Sequence, residues 1–357
     1  MITISAVGVT AGVFLPSATS ADRAGKAPTT AGDVTTSPSS TPTMSSTKRP
    51  AVKPSRTATS KEPSSRAKPK PSVTSHKAKG GIFTGVATHF DKTGDAGGGC
   101  GVPPAQIESK DFVALNVYDV PNNFSPSLPR PAPEALKGAW NNGLNCGRWV
   151  EIKLSDFCTT ANGGAAGQGI CRGGAWKRDK FNGATVKAIV TDSCADPNEW
   201  CRSDRNHLDI ARGSLGRFTL NGSPVGDLET MGKWNNRRIE WSFIPAPDYR
   251  GDIKIGLAKD ASKWYSPVVI TNLPNGIRGV EYLENGTWKK AQMTGDNGQR
   301  YEIQPTSAAR ATFTVRITDA HGKPLNNGRE YSFKQPSCAG ESTRCDGLYT
   351  PVSYTTN

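Results

Sequence analysis

The chain has 357 residues, 35% of them hydrophobic, and a formal net charge of +13, so it is long enough for two domains with separate cores. Residues 22–80 alone carry +9 of that charge, twelve Lys and Arg against three acids, which leaves +4 for the rest. The basic balance therefore belongs to one segment, and with no base-reading motif beside it, a nucleic-acid partner is excluded.

The apolar opening MITISAVGVTAGVFLPSATSA ends in small residues at Ala21 and predicts a secretory signal over residues 1–21, so contact with a membrane is transient. Pro16 and the short apolar run argue against a spanning helix. Residues 22–80 are rich in Ser, Thr, Pro, Ala and Lys and nearly free of large apolar side chains. They cannot bury enough surface to offset chain entropy, and read as a disordered basic linker able to cling to anionic polymers. From Gly81 onward, short β-branched or aromatic runs recur: FVALNV (112–117), WVEIKL (149–154), TVKAIVTD (185–192), RIEWSFI (238–244), DIKIGLA (252–258), PVVITNL (267–273), GVEYL (279–283) and ATFTVRITD (311–319). One helix is expected over 132–142, where Leu136 and Trp140 lie a turn apart, and a short one after Ile210. Short strands with sparse helices indicate barrels or sandwiches, and the Pro and Gly cluster at 245–251 places a domain boundary there.

All eight cysteines lie beyond the linker: Cys100, Cys146, Cys158, Cys171, Cys194, Cys201, Cys338 and Cys345. An even count in an exported chain implies disulfides, and closeness in sequence favours the pairing 100–146, 158–171, 194–201 and 338–345. No two cysteines have C-x2-C spacing and the chain has four histidines, so no metal site or other cofactor is expected.

The segments GVATHFD (85–91), GGGCG (97–101), FVALN (112–116), NCGRWVEIKL (145–154), VTDSC (190–194), HLDI (207–210), RIEWSF (238–243) and SKWYSPVVITN (262–272) follow one order. In that order the chain resembles the bacterial expansins over roughly residues 81 to 336. The resemblance implies an all-β protein: a six-stranded double-psi β-barrel (81–246) related to family-45 endoglucanases, then an immunoglobulin-like carbohydrate-binding sandwich (247–336). Residues 337–357 read as a tail beyond the sandwich, held by its own disulfide. The implied activity is non-hydrolytic loosening of cellulose networks.

Glycosidases flank the scissile bond with two carboxyl groups. Asp209 stands where the family has its conserved acid, and Asp192 matches a second barrel aspartate; Asp192 reads equally well as the turn ending an apolar strand. Asp209, between Leu208 and Ile210, alternates away from an apolar face, and His207 shares its face as a candidate sugar contact or as a plain solvated histidine. The 194–201 bridge between the two carboxylates contributes roughly 2 to 3 kcal/mol and shapes the groove wall. In the related endoglucanases the base follows a threonine and an aromatic at alternating positions of the first strand. Thr88 and Phe90 match, as glucan contacts, and alternation then brings Lys92 rather than Asp91 to the third position, which leaves water without an activating base; a one-residue bulge would reverse this and turn Asp91 into the groove.

In the second domain Trp264 and Tyr265 match the family's aromatic platform for sugar rings. A third platform aromatic is missing from MTGDNG (293–298), so Tyr301 is the expected substitute, with Trp288 filling the core. Lys263, Lys289 and Lys290 add attraction for acidic polysaccharides or are simply solvated. The expected protein is a secreted, extracellular, monomeric expansin-like molecule. It binds cellulose or a related β-glucan or xylan, with peptidoglycan as a further polymer, and loosens without cutting. The alternatives are a glycoside hydrolase or lytic transglycosylase on the same barrel, and a passive adhesion module.

Overall fold

The computed structural model describes residues 81–91, 98–125, 128–160, 170–194, 199–234, 237–294, 298–306 and 311–357. The expected signal segment and linker lie outside the described residues.

Six strands build the barrel: β1 (Phe83–Phe90), β2 (Phe112–Asn116), β3 (Trp149–Leu154), β4 (Thr185–Cys194), β5 (Leu208–Ala211) and β6 (Arg238–Ile244). Their order is β2-β5-β1-β6-β3-β4, and the pairing of β2 with β4 closes the ring. β1 with β5 and β2 with β4 are parallel, and the other four pairs are antiparallel. Closure leaves no free edge. Alternation supplies the core: Val150, Ile152 and Leu154 of β3 point inward with Leu208 and Ile210 of β5 and Ile239 and Trp241 of β6.

Parallel neighbours need long crossovers, and here these are loops rather than helices. The segment 132–142 forms two 3₁₀ turns, Glu134–Leu136 and Asn141–Gly143, instead of the expected α-helix. Pro131 and Pro133 precede the first turn, and Asn141 and Asn142 sit in the left-handed region at φ 55° and 50°, so the backbone cannot continue a helix. Trp140 is nevertheless fully buried and anchors the loop. The turn after Ile210 is also 3₁₀, Arg212–Gly216, and a five-residue α-helix, Glu199–Ser203, lies between β4 and β5.

Ten further strands form two five-stranded sheets around a second core. They are β7 (Lys254–Ala258), β8 (Ser266–Thr271), β9 (Gly279–Glu284), β10 (Thr287–Lys290), β11 (Gln292–Met293), β12 (Arg300–Ile303), β13 (Thr312–Thr318), β14 (Tyr331–Lys334), β15 (Tyr349–Pro351) and β16 (Tyr354–Thr356). One sheet runs β11-β12-β8-β7-β15 and the other β10-β9-β13-β14-β16. Ile255, Val268 and Ile270 of the first meet Phe313, Val315 and Phe333 of the second. Residues 337–357 do not extend past this sandwich, as the sequence suggested, but add an edge strand to each sheet, β15 on β7 and β16 on β14. Trp288 is not in the core either: it is half-buried on the β9–β10 hairpin, with the Arg316 guanidinium 4.3 Å from its ring centre. The barrel meets the sandwich through Glu108, whose carboxylate accepts from Asn272 N at 2.8 Å, and through Gln299, which donates to the Cys146 carbonyl at 2.8 Å.

All four expected disulfides are present: Cys100–Cys146, Cys158–Cys171, Cys194–Cys201 and Cys338–Cys345. A buried ion pair adds a cross-link of another kind. The Arg237 side chain is fully buried and holds both Asp179 oxygens at 2.7 and 2.9 Å while donating to the Lys233 and Ser155 carbonyls. Arg237→Ala removes a fully buried side chain with its carbonyl partners and leaves the partly exposed Asp179 unpaired, and is expected to lower the unfolding free energy by about 2 kcal/mol in urea titration.

Candidate functional site

One lateral row across four strands sets up the site. Thr88 of β1 lies opposite Asp209 of β5, Asp209 opposite Ala114 of β2, and Ala114 opposite Asp192 of β4. Laterally paired residues share a face, so Thr88, Asp209 and Asp192 point the same way. That face is the barrel's outer one, because Leu208 and Ile210 on either side of Asp209 belong to the inner core. Asp192 would point inward like Val190 but for a register shift: Val113 pairs with Val190 and Ala114 with Asp192, so Thr191 is the extra residue that turns Asp192 outward. Two steps of strand spacing put the Asp209 and Asp192 Cα atoms roughly 10 Å apart.

The Thr88 hydroxyl donates to Asp209 Oδ1 at 2.8 Å, and its oxygen also lies 2.8 Å from His207 Nε2. With its one proton committed to Asp209, Thr88 accepts from Nε2–H, which fixes the direction of the chain His207 to Thr88 to Asp209. His207 is fully buried, and burial lowers its pKa to about 3, so the ring is neutral. Its side-chain Nδ1 has no partner among the described residues. His207 thus shares Asp209's face, as alternation requires, yet it cannot touch a sugar; it is a buried support for Thr88.

Asp209 is 8% exposed, and burial raises its pKa from the ordinary 3.8 to about 6. The Thr88 hydrogen bond and the His89 charge oppose the rise, and the Asp192 charge adds to it. Burial also raises the Asp192 carboxyl, against hydrogen bonds from Gly99 N at 2.5 Å and Ser193 N at 2.7 Å. Gly98 is what lets this loop approach: a Cβ there would lie 2.5 Å from Asp192 Cγ. The Cys194–Cys201 disulfide packs with Phe90 on Ala114, so it sits over the strand that separates the two carboxylates. Its loop is tied down at the far end, where Asp204 accepts from Val86 N at 2.5 Å and the Asn206 carbonyl from Trp241 Nε1 at 2.9 Å.

Asp91 lies on the other side of β1. It pairs with Arg212 at 3.1 Å, Arg212 grips Glu229 at 2.6 and 2.8 Å, and Glu229 meets His89 at 3.2 Å. His89 and Asp91 reach one cluster, so the alternation that carries Thr88 and Phe90 into the groove carries Asp91 out of it. Lys92 lies outside the described residues. This rim cluster escaped the sequence reading because Arg212 and Glu229 come from distant loops.

In the sandwich Trp264 is 73% exposed and Tyr265 half-buried. They stand in a tight turn in which Ser262 and Tyr265 exchange backbone hydrogen bonds, so Lys263 and Trp264 form the tip and the strand rule of opposite faces does not apply. Lys263 lies 4.9 Å from the Trp264 ring centre and pairs with Glu341. Tyr301 does not join this display. It is 2% exposed in the inter-sheet core, alternating inward with Ile303, and burial pushes its phenol well above the usual range. The one grouping of potential metal ligands among the described residues is Cys194, Cys201 and His207, and the disulfide withholds both thiolates from it.

No protein-family model matches the chain. Among solved structures it is similar to expansin from Clavibacter michiganensis in two crystal structures. One is an aspartate-to-asparagine mutant in complex with cellohexaose, at 18% identity, and the other the unliganded protein, at 19%. In both, the match covers 68% of this chain and 88% of the expansin at a TM-score of 0.42. At that level the geometry of the site itself has to carry the functional argument.

The raised Asp209 pKa has a measurable consequence. Between about pH 4 and 6 the native carboxyl holds a proton that the unfolded one releases, so this group makes stability fall as pH rises through that window. Asp209→Asn removes the slope and is expected to gain roughly 2 kcal/mol over the wild type at pH 7 relative to pH 4. Urea titrations of both proteins at the two pH values measure the difference.

Proposed function

We propose that this protein binds a β-glucan of the cellulose type along the barrel groove and the Trp264 turn, and loosens the polymer network without hydrolysing it. The observation that supports this reading is the Thr88–Asp209 pair on the groove face, whose carboxyl burial raises furthest. Asp209, at about 6, is poised to exchange a proton with a glycosidic or hydroxyl oxygen. The other candidate carboxylates are constrained: Asp91 faces Arg212 outside the groove, and Asp192 accepts two backbone N–H groups on Oδ1, which pin it against the Gly98–Gly99 loop. A groove with one acid held by Thr88 can disturb hydrogen bonds between glucan chains, and among the described residues no second carboxylate stands free to activate water.

Four disulfides fit an oxidising compartment, and we assign the protein to the extracellular space on that ground. Among the described residues no helix is long and apolar enough to cross a membrane. A hydrolase or lytic transglycosylase is the second reading, favoured by one observation: Asp192 faces the same side as Asp209 and their charges interact.

The deciding experiment incubates the full-length protein with amorphous cellulose and with peptidoglycan, recording pelleted protein, soluble reducing sugar and extension of a loaded cellulose sheet. Binding and extension without sugar release, with extension lost in Asp209→Asn while binding persists, is the expected outcome. Sugar release that vanishes in Asp209→Asn establishes the hydrolase instead. Trp264→Ala is expected to weaken cellulose pull-down several-fold, equivalent to about 1 kcal/mol, through loss of ring stacking.

A further inference from the structure

A pocket of about 440 Å³ opens between the two sheets of the sandwich, where the chain crosses from β10 to β11. Val280, Ala291 and Met293 give it apolar walls, and Tyr301 lines it from the inter-sheet core. The Tyr301 phenol oxygen is buried and has no hydrogen-bond partner among the described residues. An unpartnered hydroxyl in a well-packed core costs about 1 to 3 kcal/mol, and a ligand group that pairs with it recovers that cost.

The rim is cationic. Arg278 and Lys290 are exposed and line the pocket, and neither side chain has an acidic partner among the described residues. Glu281 also lines the pocket, and its charge is offset by Arg316, which donates to Oε2 at 2.7 Å. The pocket thus combines apolar walls, one buried hydroxyl in need of a partner and two uncommitted positive charges. A compact ring with C–H faces, hydroxyl groups and a carboxylate meets all three requirements, and a neutral glucose meets only two.

We propose that this pocket is a separate saccharide site that takes one carboxylated sugar residue, its carboxylate held by Arg278 and Lys290 and a hydroxyl completing the Tyr301 hydrogen bond. The site does not depend on the Asp209 groove or on the Trp264 turn. Such a sugar has two sources, a uronic acid of a wall polysaccharide or the lactyl-bearing sugar of peptidoglycan.

The test titrates the full-length protein with glucuronic acid, galacturonic acid, N-acetylmuramic acid and glucose, followed by NMR shift perturbation. Saturable binding of a carboxylated sugar that weakens as salt rises, with glucose at least about fivefold weaker, is expected. Arg278→Gln and Tyr301→Phe are each expected to lower the affinity about fivefold. Tyr301→Phe removes only an unpaired oxygen, so its melting temperature should equal or exceed that of the wild type, which separates lost binding from lost folding. The preferred acid identifies the source. No binding of any acid, equal binding of glucose, or affinity unchanged in both variants overturns the proposal, and each result leaves the reading of the groove untouched.

Discussion

The register that sets Thr88 opposite Asp209 is the constraint on which the site depends. Because the pair is parallel, the two side chains stand on one face at hydrogen-bonding distance, and the strand spacing alone suffices to join them. His207 then enters from the end of β5 to orient the threonine, and Ala114 on the next strand leaves space that the Cys194–Cys201 bridge and Phe90 fill. A slip of one residue in β5 would send Asp209 into the barrel core, and one in β1 would take Thr88 away from it. The cross-links at the loop, through Asp204 and Trp241, are best understood as guarding that register.

His207 and Asp209 respond oppositely to acid. A buried neutral imidazole makes the fold lose stability as pH falls, since the unfolded ring takes up a proton that the native one refuses. A buried carboxyl makes it gain stability over the same interval. Two groups joined through one hydroxyl thus offset each other, so the tuned acid need not make the whole barrel strongly sensitive to mild acidity.

Much of this was legible in the sequence, for identifiable reasons. β3 and β6 match their expected bounds because alternating apolar residues between turns state a half-buried strand directly. Asp209 stood out for the same reason, as a carboxylate set between two inward residues. What alternation cannot report is depth. It placed His207 on the face of Asp209 correctly, and could not say that the face is roofed there. Tyr301 carried its own signal, since it alternates with Ile303, but an expectation of a third sugar platform outweighed it. The outward turn of Asp192 depends on one extra residue, Thr191, which no pattern in β4 announces. The 132–142 segment shows the opposite failure: apolar spacing suggested a helix that two prolines and two left-handed asparagines forbid.

The last strands carry a consequence for how the molecule is made. β15 and β16 lie within nine residues of the C-terminus, and each completes a different sheet. Every barrel strand, in contrast, has been supplied once residue 244 is free. A chain emerging from its N-terminus can therefore close the barrel first, while each sheet of the sandwich waits for its last strand, β15 on β7 and β16 on β14. A chain cut before residue 349 would keep a closed barrel but move both sheet edges inward to β7 and β14, whose Leu257 and Phe333 are otherwise buried.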